Sequence, residues 1–379
     1  MLEELTALEG LRARPLARRD RTEGEDRMPD TQNRLRAVVA VPLSEEHCRL
    51  IESLEPRIDL VRDHALTRPM RGPADWSGDP DHVRTADEQA EFDAMVDSAE
   101  ALFGIPDVEP AALARTAQAN PALRWVMTMA AGGGSQVKAA GLDREQLDRI
   151  AFTTSAGVHG GPLAEFAVFG VLAGAKNLPR LIADQRAREW PERWEMRQVD
   201  EMTVLVVGLG GIGAECARRF SALGARVWGT TRTGEPVEGV DRLVPIDDLE
   251  SAVGEVDAIV MTLPGTEATH HLLDDRILRA VRPGVIVANV GRGTVIDEAA
   301  LTTALDDGRV GFAALDVFES EPLAAASPLW SHPSVLVSPH TAALSRKEEE
   351  RIARRFADDA SRFLDGLPMR SIVDTVEFY

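Results

Sequence analysis

A chain of 379 residues exceeds the usual size of a single hydrophobic core, so two domains with a cleft between them are expected. Its formal net charge of −20 excludes nucleic acid as a partner and argues equally against a membrane surface, since phosphate contacts need a basic surface to displace counterions. The two cysteines, Cys48 and Cys216, stand too far apart for a disulfide framework or a zinc site, so no metal is expected.

Residues 1–34 carry dense mixed charge between Arg12 and Asp26 and few aromatics. They cannot bury enough apolar surface to order themselves and are expected to form a disordered extension, with Met28 as an alternative start. The first thirty residues lack the apolar stretch of a signal peptide, and no run of eighteen apolar residues occurs anywhere. The expected location is therefore cytoplasmic. From residue 35 short apolar runs (37–41, 58–61, 101–105, 123–129 and 151–154) alternate with helix-length segments, the pattern of a parallel sheet covered by helices. Residues 66–85, with Pro69, Pro73, Gly78 and Pro80, read as a long loop of the kind that has a functional or lid role, with the role itself left open. A helix is expected from Pro162, where a missing amide costs nothing, to Asn177, before Pro179 breaks or kinks it. Six further apolar runs follow (203–207, 226–229, 257–263, 285–290, 311–317 and 335–337), each continuous enough for a strand buried on both faces. An amphipathic helix over 347–364 is expected to pack back on the first domain.

The run TVLVVGLGGIG, from Thr203 to Gly213, is a strand, a glycine turn and a helix start in that order. Gly208 permits the tight turn, Gly210 lets the backbone approach a pyrophosphate, and Gly213 lets helix and strand pack closely; Gly211 and Ile212 complete the turn. The helix start then offers free amides to the phosphates. At the end of the next strand the acidic residue that would bond a ribose 2′-hydroxyl is absent. Thr230, Thr231, Arg232 and Thr233 stand there instead, and an arginine beside hydroxyls suits a 2′-phosphate. NADP(H) is the favoured cofactor, with NAD(H) still open.

Three later motifs occur in a fixed order: NVGRGTVID (Asn289 to Asp297), ALDVFESEPL (Ala314 to Leu323) and SPHTAALS (Ser338 to Ser345). They resemble the three signatures of D-isomer-specific 2-hydroxyacid dehydrogenases. Upstream, LRWV from Leu123, the Ala131–Gly132 turn, GVHG from Gly157 and AEF from Ala164 match the same family, so the resemblance spans roughly residues 36–365. It implies a catalytic set of Arg292, Glu321 and His340. The planar fork of Arg292 can grip a carboxylate and polarise the adjacent carbonyl. His340 would give a proton to the carbonyl oxygen as hydride arrives, with Glu321 raising its pKa. The resemblance also implies cofactor contacts from Leu263, Pro264, Thr266, Val290 and Asp316, the last toward the nicotinamide carboxamide, against an alternative as a scaffold ion pair. The amides of Gly132 and Gly133 would hold the substrate carboxylate, although the three consecutive glycines at 132–134 depart from the commoner pattern. His159 is read as a hinge or cofactor-side residue and Glu165 as structural, neither at the ligand end of the sheet. His270 and His271 are expected to be solvated and Cys216 to be a small core residue.

The fold class that follows is α/β, with two doubly wound parallel-sheet domains. A flavodoxin-like substrate domain would comprise residues 35–153 completed by 344–379, and a Rossmann cofactor domain residues 154–343, hinged near Thr154 and Ala343. The implied function is NAD(P)H-dependent reduction of a small 2-oxo acid, glyoxylate or hydroxypyruvate among the family's substrates, by a homodimer. The alternative is a non-catalytic NAD(P)-sensing regulator of the co-repressor type. Formate dehydrogenase is disfavoured by the glutamate beside the histidine, and a phosphoglycerate dehydrogenase with a regulatory domain by the end of the chain soon after Leu364.

Overall fold

The structure is a computed structural model and describes residues 34–376 and Phe378; the extension expected over 1–34 falls, apart from Arg34, outside the described residues. Five strands, β1 (Leu35–Val39), β2 (Ile58–Val61), β3 (Ala101–Phe103), β4 (Trp125–Met127) and β5 (Ala151–Thr153), form one sheet in the order β2-β1-β3-β4-β5. All its pairings are parallel, and the order is the flavodoxin-like one. The second sheet holds β6 (Thr203–Val207), β7 (Arg226–Thr230), β8 (Arg242–Leu243), β9 (Ala258–Met261), β10 (Val285–Asn289), β11 (Val310–Leu315) and β12 (Val335–Val337). Its order, β12-β11-β10-β9-β6-β7-β8, reverses direction between β6 and β9, as in a Rossmann sheet. The two-residue β8 escapes sequence reading because so short an edge strand carries no periodicity.

The central strands are apolar throughout because helices cover both faces. Leu205, Val207, Ile259 and Val287 point into one core and Val204, Val206, Val260 and Ile286 into the other. The second core receives the helix Gly160–Ala175, which begins two residues before Pro162. A Cβ on Gly170 would sit 2.5 Å from that of Ala314, so only glycine lets this helix lie so close to the sheet. The helix stops at Ala175, short of the expected Asn177. Asn177 turns left-handed (φ 51°) and caps a new helix, Leu178–Ala187, in which Pro179 occupies the tolerated first turn.

The helix Glu348–Leu364 returns to the first sheet, where Ile352, Phe356 and Ala360 join its core. Phe356 stacks on Trp125 with ring centroids 4.6 Å apart. Burying such a ring contributes about 1.5–3 kcal/mol. The segment 66–85 is a long loop, as expected, and it is anchored. Trp76 is buried against Phe103, and Arg84 grips Asp107 through two nitrogens at 2.7 and 2.8 Å. An aromatic anchor and a buried bidentate pair fasten that loop to the first sheet. Among the described residues no single helix is long and apolar enough to cross a membrane.

Candidate active site

Parallel strands deliver all their C-terminal ends to one edge, and here those ends stand in a row. Val207 pairs with Met261, Met261 with Asn289, Asn289 with Leu315, and Leu315 with Val337. The next residue on each strand, Gly208, Thr262, Val290, Asp316 and Ser338, therefore opens a loop at the same level. Every sequence-predicted site residue of the second sheet lies in one of these loops, in the one after β7, or, for Gly211, Ile212 and Gly213, in the first turn of the helix that follows β6.

The glycine turn has the conformation its residues were read to allow. Gly208 takes φ 102° and donates its N–H to Thr230 Oγ1 at 2.9 Å. A Cβ on Gly213 would fall 2.1 Å from the Gly208 carbonyl oxygen, whereas at Gly210 a Cβ would meet nothing within 4 Å. One glycine is thus required by packing, and another leaves open space over the start of the helix Gly211–Ala222, where a phosphate could approach. Thr262 Oγ1 donates to the carbonyls of Val207 and Gly208 at 3.1 and 2.5 Å, pinning the turn from β9. After β7, Thr231 and Thr233 form a hydroxyl-linked turn around the exposed Arg232.

Arg292 follows β10. Asn289 Nδ2 donates to the Arg292 carbonyl at 3.0 Å, while its Oδ1 accepts from Gly291 N, closing the turn that carries the arginine. Leu263 and Gly265, in the loop after β9, pack against that turn. Burial pulls the guanidinium below its usual pKa, opposed by the negative charge of Glu321, and it stays cationic in any case. From the other sheet, the loop after β4 brings Gly132 against Arg292: a Cβ on Gly132 would lie 2.7 Å from Nη2. Gly133 is more firmly barred from carrying a side chain, by Thr128, and its N–H donates to the Ala130 carbonyl at 3.1 Å. That amide is engaged in the turn, so the pair of free amides expected at 132 and 133 is reduced to Gly132.

His340 follows β12 with a left-handed backbone (φ 52°), a conformation costing a residue other than glycine about 1–2 kcal/mol. Its N–H donates to the Asp316 carbonyl at 2.9 Å. Asp316 Oδ1 accepts from Ser338 Oγ, Thr341 N and Ala342 N at 2.6, 3.0 and 3.0 Å, so a fully buried carboxylate holds both flanks of the histidine. His340 Nδ1 lies 2.7 Å from Glu321 Oε2, and Glu321 Oε1 accepts from Phe318 N at 3.0 Å. With Nδ1 committed, Nε2 is left for proton exchange, on a side chain that is 46% exposed. Asp316 Oδ2 is buried and has no hydrogen-bond partner. An orphaned carboxylate oxygen needs a donor, and a carboxamide N–H₂ is one, so the residues present fit a nicotinamide dinucleotide. Asp316 thus serves the scaffold through one oxygen, while the other has no partner within the protein.

Two readings are corrected. His271 is not simply solvated: Nε2 lies 2.8 Å from Glu319 Oε1. His159 is buried, with Nε2 3.0 Å from Glu348 Oε1, and the adjacent Gly160 lies against Gly211 of the glycine turn, so it does sit at the ligand end. Glu165 is exposed and only loosely paired with Arg219, at 3.8 Å. Asn289, Thr262 and Ser338 were not singled out as site residues. Their one sequence signal is a polar residue just at or beyond the end of an apolar run.

The fold and these strand ends define a dinucleotide-dependent oxidoreductase. The family model described as D-isomer specific 2-hydroxyacid dehydrogenase, NAD binding domain, matches residues 168–342. The chain is 32% identical over 245 residues to (S)-sulfolactate dehydrogenase of Chromohalobacter salexigens, covering 59% of this chain and 75% of that one. It is 30% identical over 259 residues to glyoxylate reductase of Aeropyrum pernix, covering 65% and 75%. A crystal structure of a D-isomer specific 2-hydroxyacid dehydrogenase from Xanthobacter autotrophicus, in complex with NADPH and MES, superposes with a TM-score of 0.70 at 28% identity, over 91% of this chain and all of that one. The chain belongs to the D-isomer-specific 2-hydroxyacid dehydrogenase family.

Proposed function

We propose that this chain reduces a small 2-oxo acid to the 2-hydroxy acid, with Arg292, Glu321 and His340 as its catalytic residues. The observation that carries this reading is the convergence, at one edge of the second sheet, of Arg292 backed by Gly132 and His340 hydrogen-bonded to Glu321. Arg292, with the Gly132 amide, binds the substrate carboxylate and polarises the neighbouring carbonyl. Glu321 engages Nδ1 and fixes the ring, so that Nε2 of His340 is turned to give its proton to the carbonyl oxygen. The bound nicotinamide supplies the hydride.

Gly208, Gly210, Gly211, Ile212 and Gly213 receive the pyrophosphate, Leu263, Pro264, Thr266 and Val290 line the ring and ribose, and Asp316 Oδ2 accepts from the carboxamide. Thr231 and Arg232 favour NADP(H) over NAD(H) by receiving a 2′-phosphate, in keeping with the NADPH bound by the Xanthobacter relative. The working units are a substrate domain, 35–153 with 344–379, and a cofactor domain, 154–343, whose closure excludes water. Exposed Phe169, Leu181, Ile182 and Trp190, on and just after successive helices of the cofactor domain, support a homodimer.

The test is a panel of 2-oxo acids, including glyoxylate and hydroxypyruvate, offered with NADPH and with NADH while nicotinamide absorbance is followed. Consumption with at least one acid, faster at low NADPH than at equal NADH, is expected. Tight nucleotide binding without turnover on any acid would favour the NAD(P)-sensing regulator instead.

A further inference from the structure

The segment after the helix Glu348–Leu364 turns back beside β5. Val373 donates its N–H to the Phe152 carbonyl at 2.8 Å, Thr154 donates its own to the Ser371 carbonyl at 3.0 Å, and Thr153 bridges Ile372 in the antiparallel sense. Arg370 donates its N–H to Asp359 Oδ1 at 2.8 Å, so a fully buried carboxylate on that helix holds the segment where it begins. Ser371 takes a left-handed backbone, φ 51°, and its Oγ donates to the Ala156 carbonyl at 3.1 Å. Arg355, on the same helix, reaches the same oxygen: its Nη1 lies 3.0 Å from the Ala156 carbonyl and 3.3 Å from Ser371 Oγ. One backbone carbonyl thus takes two donors, from residues 199 and 215 positions further along the chain.

Ala156 lies in the connection from β5 to the helix Gly160–Ala175. Just before it, Ser155 Oγ donates to the Met129 carbonyl at 2.7 Å, in the loop that leads to Gly132. Just after it, Gly157 takes φ 87°, and a Cβ there would lie 3.4 Å from Arg355 Nη2. Gly157 and Gly160 flank Gly211, the first residue of the helix Gly211–Ala222. A Cβ on Gly211 would sit 3.3 Å from the Gly157 Cα, and one on Gly160 would sit 3.1 Å from the Gly211 carbonyl oxygen. Backbone meets backbone here, with no side chain between to take up slack. Packing this close transmits displacement, so a shift of Ala156 moves the backing of Gly211.

We infer, on the reading of the glycine turn as the pyrophosphate site, that Arg355 and Ser371 are positioning residues for the dinucleotide, and that the segment 370–373 helps to hold the turn in its binding geometry. Two donors on one carbonyl, one of them charged, fix Ala156 more firmly than a single neutral bond. They fix Gly157 with it, and Gly157 backs the amides at the start of the helix Gly211–Ala222. Freed of this clamp, the turn samples other placements and binding must select the competent one. Affinity then falls for every ligand that carries the pyrophosphate.

The experiment measures dissociation constants for NADPH, NADH and ADP-ribose, together with thermal melts, on wild type, Ser371→Ala, Arg355→Met and Arg355→Lys. Ser371→Ala removes one donor and leaves the backbone bond between Thr154 and residue 371 in place, so the fold is retained. Arg355→Met takes a cation from beside the buried Asp359; should it fail to fold, Ser371→Ala carries the test alone. Ser371→Ala is expected to weaken all three ligands alike, on the order of fivefold, and Arg355→Met by more. Arg355→Lys, which keeps a charged donor for Ala156, should recover most of that loss. A role confined to stability would lower the melting temperature and leave the dissociation constants of the folded protein unchanged, and that result would overturn the inference. A loss with NADPH and NADH but not with ADP-ribose would overturn it too, by placing the effect at the nicotinamide end. Failure of wild type to bind any of the three would overturn the pyrophosphate reading, and this inference with it.

Discussion

Nη2 of Arg292 lies 2.7 Å from the point where a Cβ on Gly132 would sit. Residues 160 positions apart, one following a strand of each sheet, thus share a contact that a methyl group could enter only by displacing the guanidinium. Gly132→Ala must push the guanidinium aside by a fraction of an ångström or more. Misplacement on that scale lowers kcat/KM on the order of 10²-fold. Steady-state kinetics on the best substrate check this, and unchanged kinetics would mean that the contact does not orient the arginine.

Arg292→Lys keeps the charge but loses the fork. A lysine cannot present two parallel donors to a carboxylate, nor reach the Gly291 carbonyl that the guanidinium now holds at 2.8 Å. A loss of roughly 10²- to 10³-fold in kcat/KM is expected, comparable to removing one oriented donor from a developing oxyanion. Near-normal kinetics with lysine would reduce Arg292 to a steering charge.

His159 and Glu348 meet where the chain crosses between sheets, one just before the helix Gly160–Ala175 and the other at the head of the helix Glu348–Leu364. Their side chains are only 10% and 5% exposed, so removing one partner strands the other in a poor dielectric. His159→Ala or Glu348→Ala is expected to cost about 3–5 kcal/mol, and the double variant less than the sum. Denaturant melts of the three variants test this; simple additivity would show that the two do not act as a pair.

Arg232 is exposed on the turn after β7, where no carboxylate immediately follows the strand to repel a 2′-phosphate. A charge-assisted bond there contributes roughly 1.5–3 kcal/mol, or about tenfold to a hundredfold in affinity. Arg232→Ala should weaken NADPH by that factor and leave NADH almost unchanged. Equal losses for the two nucleotides, in direct binding measurements, would assign the arginine to the adenine, and no loss for either would assign it to solvent.

Much of this was legible in the sequence because buried parallel strands write themselves as apolar runs. The last residue of each run marks a strand end, and the ends of parallel strands share one edge. Gly208, Arg292, Asp316 and His340 could therefore be assigned to one edge before any coordinates. The contacts that orient them could not. Ala156 and Arg355 are 199 residues apart and His159 and Glu348 189, distances closed by the return of the last helix. The 66–85 segment was legible as a loop but its anchoring was not, for a related reason: proline and glycine signal the absence of regular structure, but not the buried Trp76 and the Arg84–Asp107 pair that fasten it.

His340→Ala tests the central claim most directly, with turnover of the best 2-oxo acid and nucleotide affinity measured on the same preparation. His340 meets Glu321 through Nδ1 and has Nε2 left to give a proton, so its loss should strike the chemistry and not the dinucleotide. Turnover is predicted to fall by about 10²- to 10⁴-fold, the usual worth of a positioned general acid, with the NADPH dissociation constant near wild type. Turnover within a few fold of wild type would contradict the account.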